Sequence, residues 1–225
     1  MVISPEYSYL ELCTLGLDAT FHSNETDWLK MRKESIGSSD AASVLGLSPW
    51  KNEVELWNEK SGRMTINKKN ADIDRGKMSE GLIKSLYAIE TGIKVYDGTG
   101  IIIRKKEFRN LTCTLDAFKI EDRKVIPIEI KSVLHRSGEW TNDKIPDHYF
   151  VQVLHQMLVC DAQRAELLVR FARSEGYDNA SERIYHIERD ENVDRQIRNL
   201  YTAEINFWNV NILNQVKPKL RVPEL

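Results

Sequence analysis

The residues with the most chemical content are two acids and a lysine. Glu129 and Lys131 flank Ile130 in PIEIKS, and Asp116 lies upstream in TLDAF. Alternate side chains of a strand share a face, so Glu129 and Lys131 point one way while Ile128 and Ile130 point into an apolar face. With Asp116 across a hairpin, two carboxylates and an ammonium converge. Magnesium prefers oxygen ligands in octahedral geometry and keeps several waters. Asp116, Glu129 and the backbone carbonyl of Ile130 would make an open site of that kind, which manganese also suits. Phosphodiester hydrolysis uses such an arrangement. The metal stabilises charge on the phosphate oxygens and lowers the pKa of a bound water, and a nearby lysine orients that water or helps deprotonate it. The plainer alternative is a strand with an exposed Glu-Lys pair, since so short a motif recurs by chance.

Three further features bear on that choice. Glu80, within RGKMSEGLIK, can supply another acid to the site; alone it reads as a surface residue. In the helix that starts near Pro146, at about 100° per residue, His148, Gln152, His155 and Gln156 share one face. Phe150, Val153, Leu154, Met157 and Leu158 occupy the other. Such a helix beside the sheet can present Gln152 to the acids, or turn the whole stripe to solvent. The IGSSDAA stretch begins a helix with Ser38, Ser39 and Asp40, which favour N-caps. Free N–H groups there, with the serine hydroxyls and Arg32, would form a phosphate pocket. Without a ligand the same residues make an ordinary cap.

The elements that must position these residues follow from patterning. Short helices are expected over WLKMRKES, SDAASVLG and NEVELWNEKSG, with a break at Ser48-Pro49. A long helix should run from about Asp72 to Gly92, with Leu82, Ile83, Leu86, Tyr87 and Ile89 on its core face. Residues 93 to 132 read as an antiparallel meander: Ile93 to Tyr96, Ile101 to Arg104, LTCTLDAFKI, the polar turn EDRK, and VIPIEIKS. A helix from Tyr149 to Cys160, the strands AELLVRF and RIYHIE, and a helix from about Glu191 to Leu213 complete the chain. The sum is one α/β or α+β domain over residues 1 to 225, a mixed central sheet flanked by helices.

Composition narrows the classes. The 225 residues are 41% apolar and 29% charged, enough for one sizeable core. No apolar run approaches the roughly 18 to 20 residues of a membrane helix, and the N-terminus lacks a secretory signal, so a soluble intracellular protein is expected. Cys13, Cys113 and Cys160 are scattered and form no CxxC pair, which argues against a zinc or iron-sulfur centre. A formal charge of -2 argues against coating nucleic acid by bulk electrostatics. Residues 60 to 84 are locally basic, seven Lys or Arg against three acids, and suggest either a phosphate-tracking surface or a solvated face.

Five segments in one order carry a resemblance: RKESIGSSDAASVLGLSPW with ELWNEKSG, then GKMSEGLIKSLYAIETG, TLDAF, PIEIKS, and IPDHYFVQVLHQMLV. Together they resemble the lambda-exonuclease or YqaJ-type viral recombinase family of the PD-(D/E)XK nuclease superfamily, from about Trp28 to Phe171. The resemblance implies a restriction-endonuclease-like core in which Asp116 and Glu129 hold the metals, Glu80 assists, Lys131 acts on the water and Gln152 supports the site. Arg32, Ser38 and Ser39 would grip a 5′-phosphate. It further implies a 5′-to-3′ exonuclease on double-stranded DNA with free ends, in a bacterial cytoplasm and encoded by phage or prophage. Such an enzyme works as a homotrimer beside a single-strand annealing protein, without a membrane or an iron-sulfur cluster. The chain departs from the family pattern at Leu115, Ala117 and Ser38. An endonuclease of the same superfamily, or a non-catalytic DNA-binding module on that fold, is the alternative. Residues 1 to 24 and 173 to 225 lie outside the resemblance.

Overall fold

The computed structural model describes residues 1–64, 71–133, 140–141, 144–171 and 181–219. In chain order the elements are β1 (Val2–Ile3), α1 (Pro5–Thr14), β2 (Asp18–Phe21), α2 (Glu25–Lys33), α3 (Ser38–Val44), α4 (Glu53–Lys60) and α5 (Ala71–Thr91). There follow β3 (Val95–Asp97), β4 (Ile101–Arg104), β5 (Thr112–Cys113), β6 (Ala117–Glu121), β7 (Lys124–Val133) and α6 (Asp147–Cys160). β8 (Arg164–Phe171), β9 (Ser181–Glu188) and α7 (Glu191–Asn206) come next, and α7 runs into a π-helical segment (Phe207–Leu213).

The expected mixed central sheet is present. Among the described residues it has six strands in the order β1-β3-β6-β7-β8-β9. β6 and β7 form an antiparallel hairpin with Ala117 opposite Ile128, and β7 runs parallel to β8 with Glu129 opposite Leu167. The hairpin turn is the predicted polar one: Asp122 and Arg123 both take positive φ, 49° and 59°, as a two-residue turn matched to strand twist requires.

Period-two patterning of β7 divides the molecule into layers. Ile128 and Ile130 pack with Ile83, Tyr87 and Ala88 of α5 on one side of the sheet. Ile83, Ile128 and Ile130 are almost fully buried, a contribution of about 1.5–3 kcal/mol apiece. The larger core lies on the other side, where Leu167 and Val169 of β8 meet Val153, Leu154 and Met157 of α6 and Ile197 and Leu200 of α7. α3 packs on α6 from outside. No described helix is long and apolar enough to cross a membrane.

Several local expectations are corrected. The segment from 93 to 132 is not one meander, because β4 and β5 pair with β2 in a separate three-stranded sheet. LTCTLDAFKI accordingly breaks between Cys113 and Ala117, where the chain passes from the small sheet to the large one. On α5, Ile83 and Tyr87, one turn apart, face the core, whereas Leu82 and Ile89 lie on the opposite face and are exposed. The C-terminal helix is α-helical only to Asn206. Residues 60 to 84 do not form a continuous basic surface either: Lys60 and Lys84 are buried in ion pairs with Asp40 and Asp97. Lys68 and Lys69 and the side chains of Arg75 and Lys77 lie outside the described residues.

Candidate active site

Glu129 sits on the middle of β7 with its side chain turned to α6, 2% exposed. Three donors meet its carboxylate. Lys131 Nζ and Gln152 Nε2 both reach Oε1, the latter at 2.6 Å, and Gln156 Nε2 reaches Oε2 at 2.5 Å. Gln152 and Gln156 are one turn apart on α6, so the polar stripe read from the sequence faces the sheet here rather than solvent. Asp116 comes from the linker just before β6. Its Oδ2 accepts the Ile130 N–H at 2.8 Å, beyond the last β6 residue that pairs with β7. N–H and C=O of one strand residue point toward the same neighbour, so the Ile130 carbonyl faces Asp116 as well.

The electrostatics are those of crowded acids. Burial pushes the Asp116 carboxyl well above the usual carboxylate range, and Glu129 and then Glu80 add to the push against the opposing Lys131. Glu80 of α5 is therefore within electrostatic reach of the pair. Burial works against the Lys131 ammonium, yet Glu129 and Asp116 hold its pKa above the ordinary lysine value. Tyr149 lies beneath that ammonium, its ring centre 5.3 Å from Nζ.

Hard oxygen donors that destabilise one another's charge suit a divalent cation. Among the described residues no three His, Cys, Asp or Glu side chains stand close enough to make a cage by themselves. Asp116, Glu129 and the Ile130 carbonyl leave positions for water, which magnesium tolerates and a closed thiolate or imidazole site does not. The residues present fit a magnesium-type ion. Cys13 is exposed, and Cys113 and Cys160 face each other in the core at 3.7 Å between sulfurs.

A second polar cluster forms where α2, α3 and α4 meet. The Arg32 guanidinium donates to Ser39 Oγ at 2.6 Å and lies over the Trp28 ring, 4.6 Å from its centre. Ser39 is exposed; Ser38, the first residue of α3, is buried and does not share that surface. Asp40 is the anchor of the cluster. Its Oδ1 meets Lys51 Nζ at 3.0 Å and its Oδ2 meets Lys60 Nζ at 2.6 Å, and Oδ2 also accepts the Gly37 N–H, capping α3. Lys60 in turn donates to the Arg32 carbonyl at 2.7 Å. Lys51 also pairs with Glu59 at 2.7 Å, so two lysines and an arginine face two acids and leave one positive charge, that of Arg32, beside Ser39.

The sequence placed Glu129, Lys131, Asp116 and Gln152 together, and the structure brings those four into contact or near contact. Gln156 was on the predicted stripe but not assigned to the site, and Tyr149 was not singled out. His155, also on the stripe, is wholly buried: Nε2–H donates to the Thr112 carbonyl at 2.9 Å, and Nδ1 lies 2.6 Å from Glu204 Oε1 of α7. Helical spacing alone cannot separate a polar stripe that faces water from one that faces buried acids. The available signal was chemical, two glutamines at i and i+4 beside a histidine in a helix rich in core residues.

Residues 27–163 match the YqaJ-like viral recombinase domain family. The uncharacterized protein YqaJ of Bacillus subtilis (strain 168) is 29% identical over 195 residues, 86% of this chain, which spans only 58% of that protein's length. Among solved structures the fold is similar to an alkaline exonuclease (LHK-Exo) from Laribacter hongkongensis, with a TM-score of 0.63 and 22% identity over 84% of this chain and 95% of that one. The same protein is known in complex with dAMP. A phage-related exonuclease from Haemophilus somnus 129PT has a TM-score of 0.55 and 14% identity, over 81% and 96% of the two chains. These are structures of the PD-(D/E)XK fold, and the mixed sheet with its flanking helices is that fold. With a match across more than half its length, the chain belongs to the YqaJ-like viral recombinase domain family.

Proposed function

We propose that the protein is a magnesium-dependent 5′-to-3′ exonuclease that degrades one strand of linear double-stranded DNA and leaves 3′ single-stranded overhangs. The observation that carries this reading is the convergence of Asp116, Glu129 and Lys131, with Glu80 in reach, beside a separate cationic pocket at Arg32 and Ser39. Membership of a recombinase family and a fold shared with exonucleases support a nuclease role. A neighbour of the same fold was solved in complex with dAMP, which supports a nucleotide-handling role.

In this mechanism Asp116, Glu129 and the Ile130 carbonyl would hold the metal, and manganese would fit the same donors. When bound, the ion neutralises phosphate charge and acidifies a water. Lys131, kept as an ammonium by the two carboxylates, orients the attacking water and offsets charge on the phosphate oxygens. Gln152 and Gln156 fix both oxygens of Glu129, so that its rotamer is set before substrate arrives. Arg32 and Ser39 hold the 5′-phosphate, with Ser38 behind them as a buried support, and the Lys51, Lys60, Asp40 and Glu59 ion pairs brace the backbone that carries them. A free end is then what the enzyme recognises. Threading of DNA through a homotrimer, delivery of the overhang to a single-strand annealing protein, and a place in the cytoplasm of a bacterium carrying phage or prophage genes complete the proposal.

The test is a linear duplex with a 5′-phosphate on one strand and a label at either end, incubated with magnesium or with chelator beside a closed circular plasmid. Progressive loss from the phosphorylated 5′ end is expected. Glu129→Ala and chelator should both abolish it, and Lys131→Ala should slow it by about 10²- to 10⁴-fold. Cleavage of the circle would reassign the protein as an endonuclease. Binding with no metal-dependent cleavage would make it a non-catalytic module.

A further inference from the structure

Trp50 is 60% exposed, although Pro49 and Ser48 hold it on a fixed turn. Ser48 Oγ accepts both the Trp50 and Lys51 N–H groups at 3.3 Å. The indole packs on the first turn of α6, edge-on to His148 with centroids 4.7 Å apart and tilted against Tyr149 at 5.8 Å. It thus keeps a defined orientation while most of its surface meets solvent.

Its neighbours join the two polar clusters. Tyr149 lies beneath the Lys131 ammonium, which touches Glu129. On the other side, Lys51 follows Trp50 directly in the chain and binds Asp40, the anchor of the Arg32 and Ser39 pocket. Trp50 is thus tied to the acid cluster through Tyr149 and is the chain neighbour of a lysine in the other.

We propose that Trp50 is a stacking platform for the 5′-terminal nucleobase of the strand being degraded. This rests on the nuclease reading above. In a nucleotide with its 5′-phosphate at Arg32 and Ser39 and its 3′ phosphodiester at Glu129 the base projects outward from the sugar, and Trp50, which packs on Tyr149 beside Lys131 and precedes Lys51 of the other cluster, is the exposed aromatic side chain that meets it in this proposal. Every base has a π-face, so stacking grips any sequence alike, as an enzyme that steps along arbitrary DNA requires. It also offsets part of the stacking lost when the terminal pair opens.

The test is a binding cycle by fluorescence anisotropy in chelator, where no turnover occurs. Wild type, Trp50→Ala and Trp50→Phe are each titrated against 5′-phosphorylated duplexes ending in adenine or in an abasic nucleotide. Wild type should bind the abasic end about 5- to 100-fold more weakly. Trp50→Ala should show that loss already with adenine and little more with the abasic end, and Trp50→Phe should retain most of the affinity. The slope of affinity against salt should not change, because no phosphate contact is removed. Equal weakening of both duplexes by Trp50→Ala, or no weakening of either, would overturn the platform. Magnesium cleavage by wild type is scored separately: a protein that cuts nothing loses the exonuclease assignment, while the base-dependent cycle still decides the stacking.

Discussion

Gln156 holds one oxygen of Glu129 and has no surface role, since it is fully buried. Hydrogen-bond partners of metal-binding carboxylates set ligand orientation and basicity. Gln156→Ala should weaken manganese binding, read by calorimetry, by about 10- to 100-fold while the protein stays folded. Asp40 belongs to stability as well as to the site. Although burial works against its charge, Lys60, then Lys51 and Arg32, hold its carboxyl far below the usual carboxylate range. Asp40→Asn strips the anion from a buried Lys60 and should cost about 3–5 kcal/mol, measured as a drop in the urea midpoint at neutral pH. A depressed carboxylate contributes fully above its unfolded value of about 3.9, and the contribution is lost as pH falls through the lower folded value. The gap between wild type and Asp40→Asn should therefore be flat at neutral pH and narrow only below about pH 4.

At the scale of elements, α6 does most of the assembling. Gln152 and Gln156 reach β7, His155 reaches β5 and α7, and Tyr149 reaches Lys131 and Trp50. Opposite it, Gly98 carries the turn after β3 close under the Leu115–Asp116 linker. A Cβ there would come within 2.1 Å of the Leu115 carbonyl oxygen. Gly98→Ala should therefore displace Asp116, lower the melting temperature by an amount equivalent to about 1–3 kcal/mol, and depress cleavage more than DNA binding. The acids and lysine of β7 were legible because a period of two fixes which side chains share a face. The split of β4 and β5 into a second sheet was not, because LTCTLDAFKI is β-prone throughout and only a long-range approach by Gly98 and Ile36 decides where it breaks. Ser38 and Ser39 look alike in sequence, and only the packing of α3 on α6 buries the first.

For the whole molecule, one core extends from Leu12 of α1 through the sheet to Ile212 of the π-helical segment. Thermal unfolding followed by far-ultraviolet and near-ultraviolet circular dichroism should give one coincident transition, and two separated transitions would divide the single domain proposed for residues 1 to 225. The N-terminal strand and helix were invisible to pattern reading because β1 has two residues and takes its stability from β3. The polar and charged clusters, by contrast, were largely present in the sequence as short motifs. The six residues from Leu111 to Asp116 connect them. Leu111 bridges to Ile36, next to the Arg32 and Ser39 pocket, Thr112 and Thr114 carbonyls are fastened to α6, and Asp116 ends the run at Ile130. Under the proposed exonuclease reading this stretch spaces the phosphate pocket from the acids, and lengthening it by one residue after Thr114 is expected to uncouple the two, so that an insertion variant should still bind a 5′-phosphorylated end yet cleave it far more slowly.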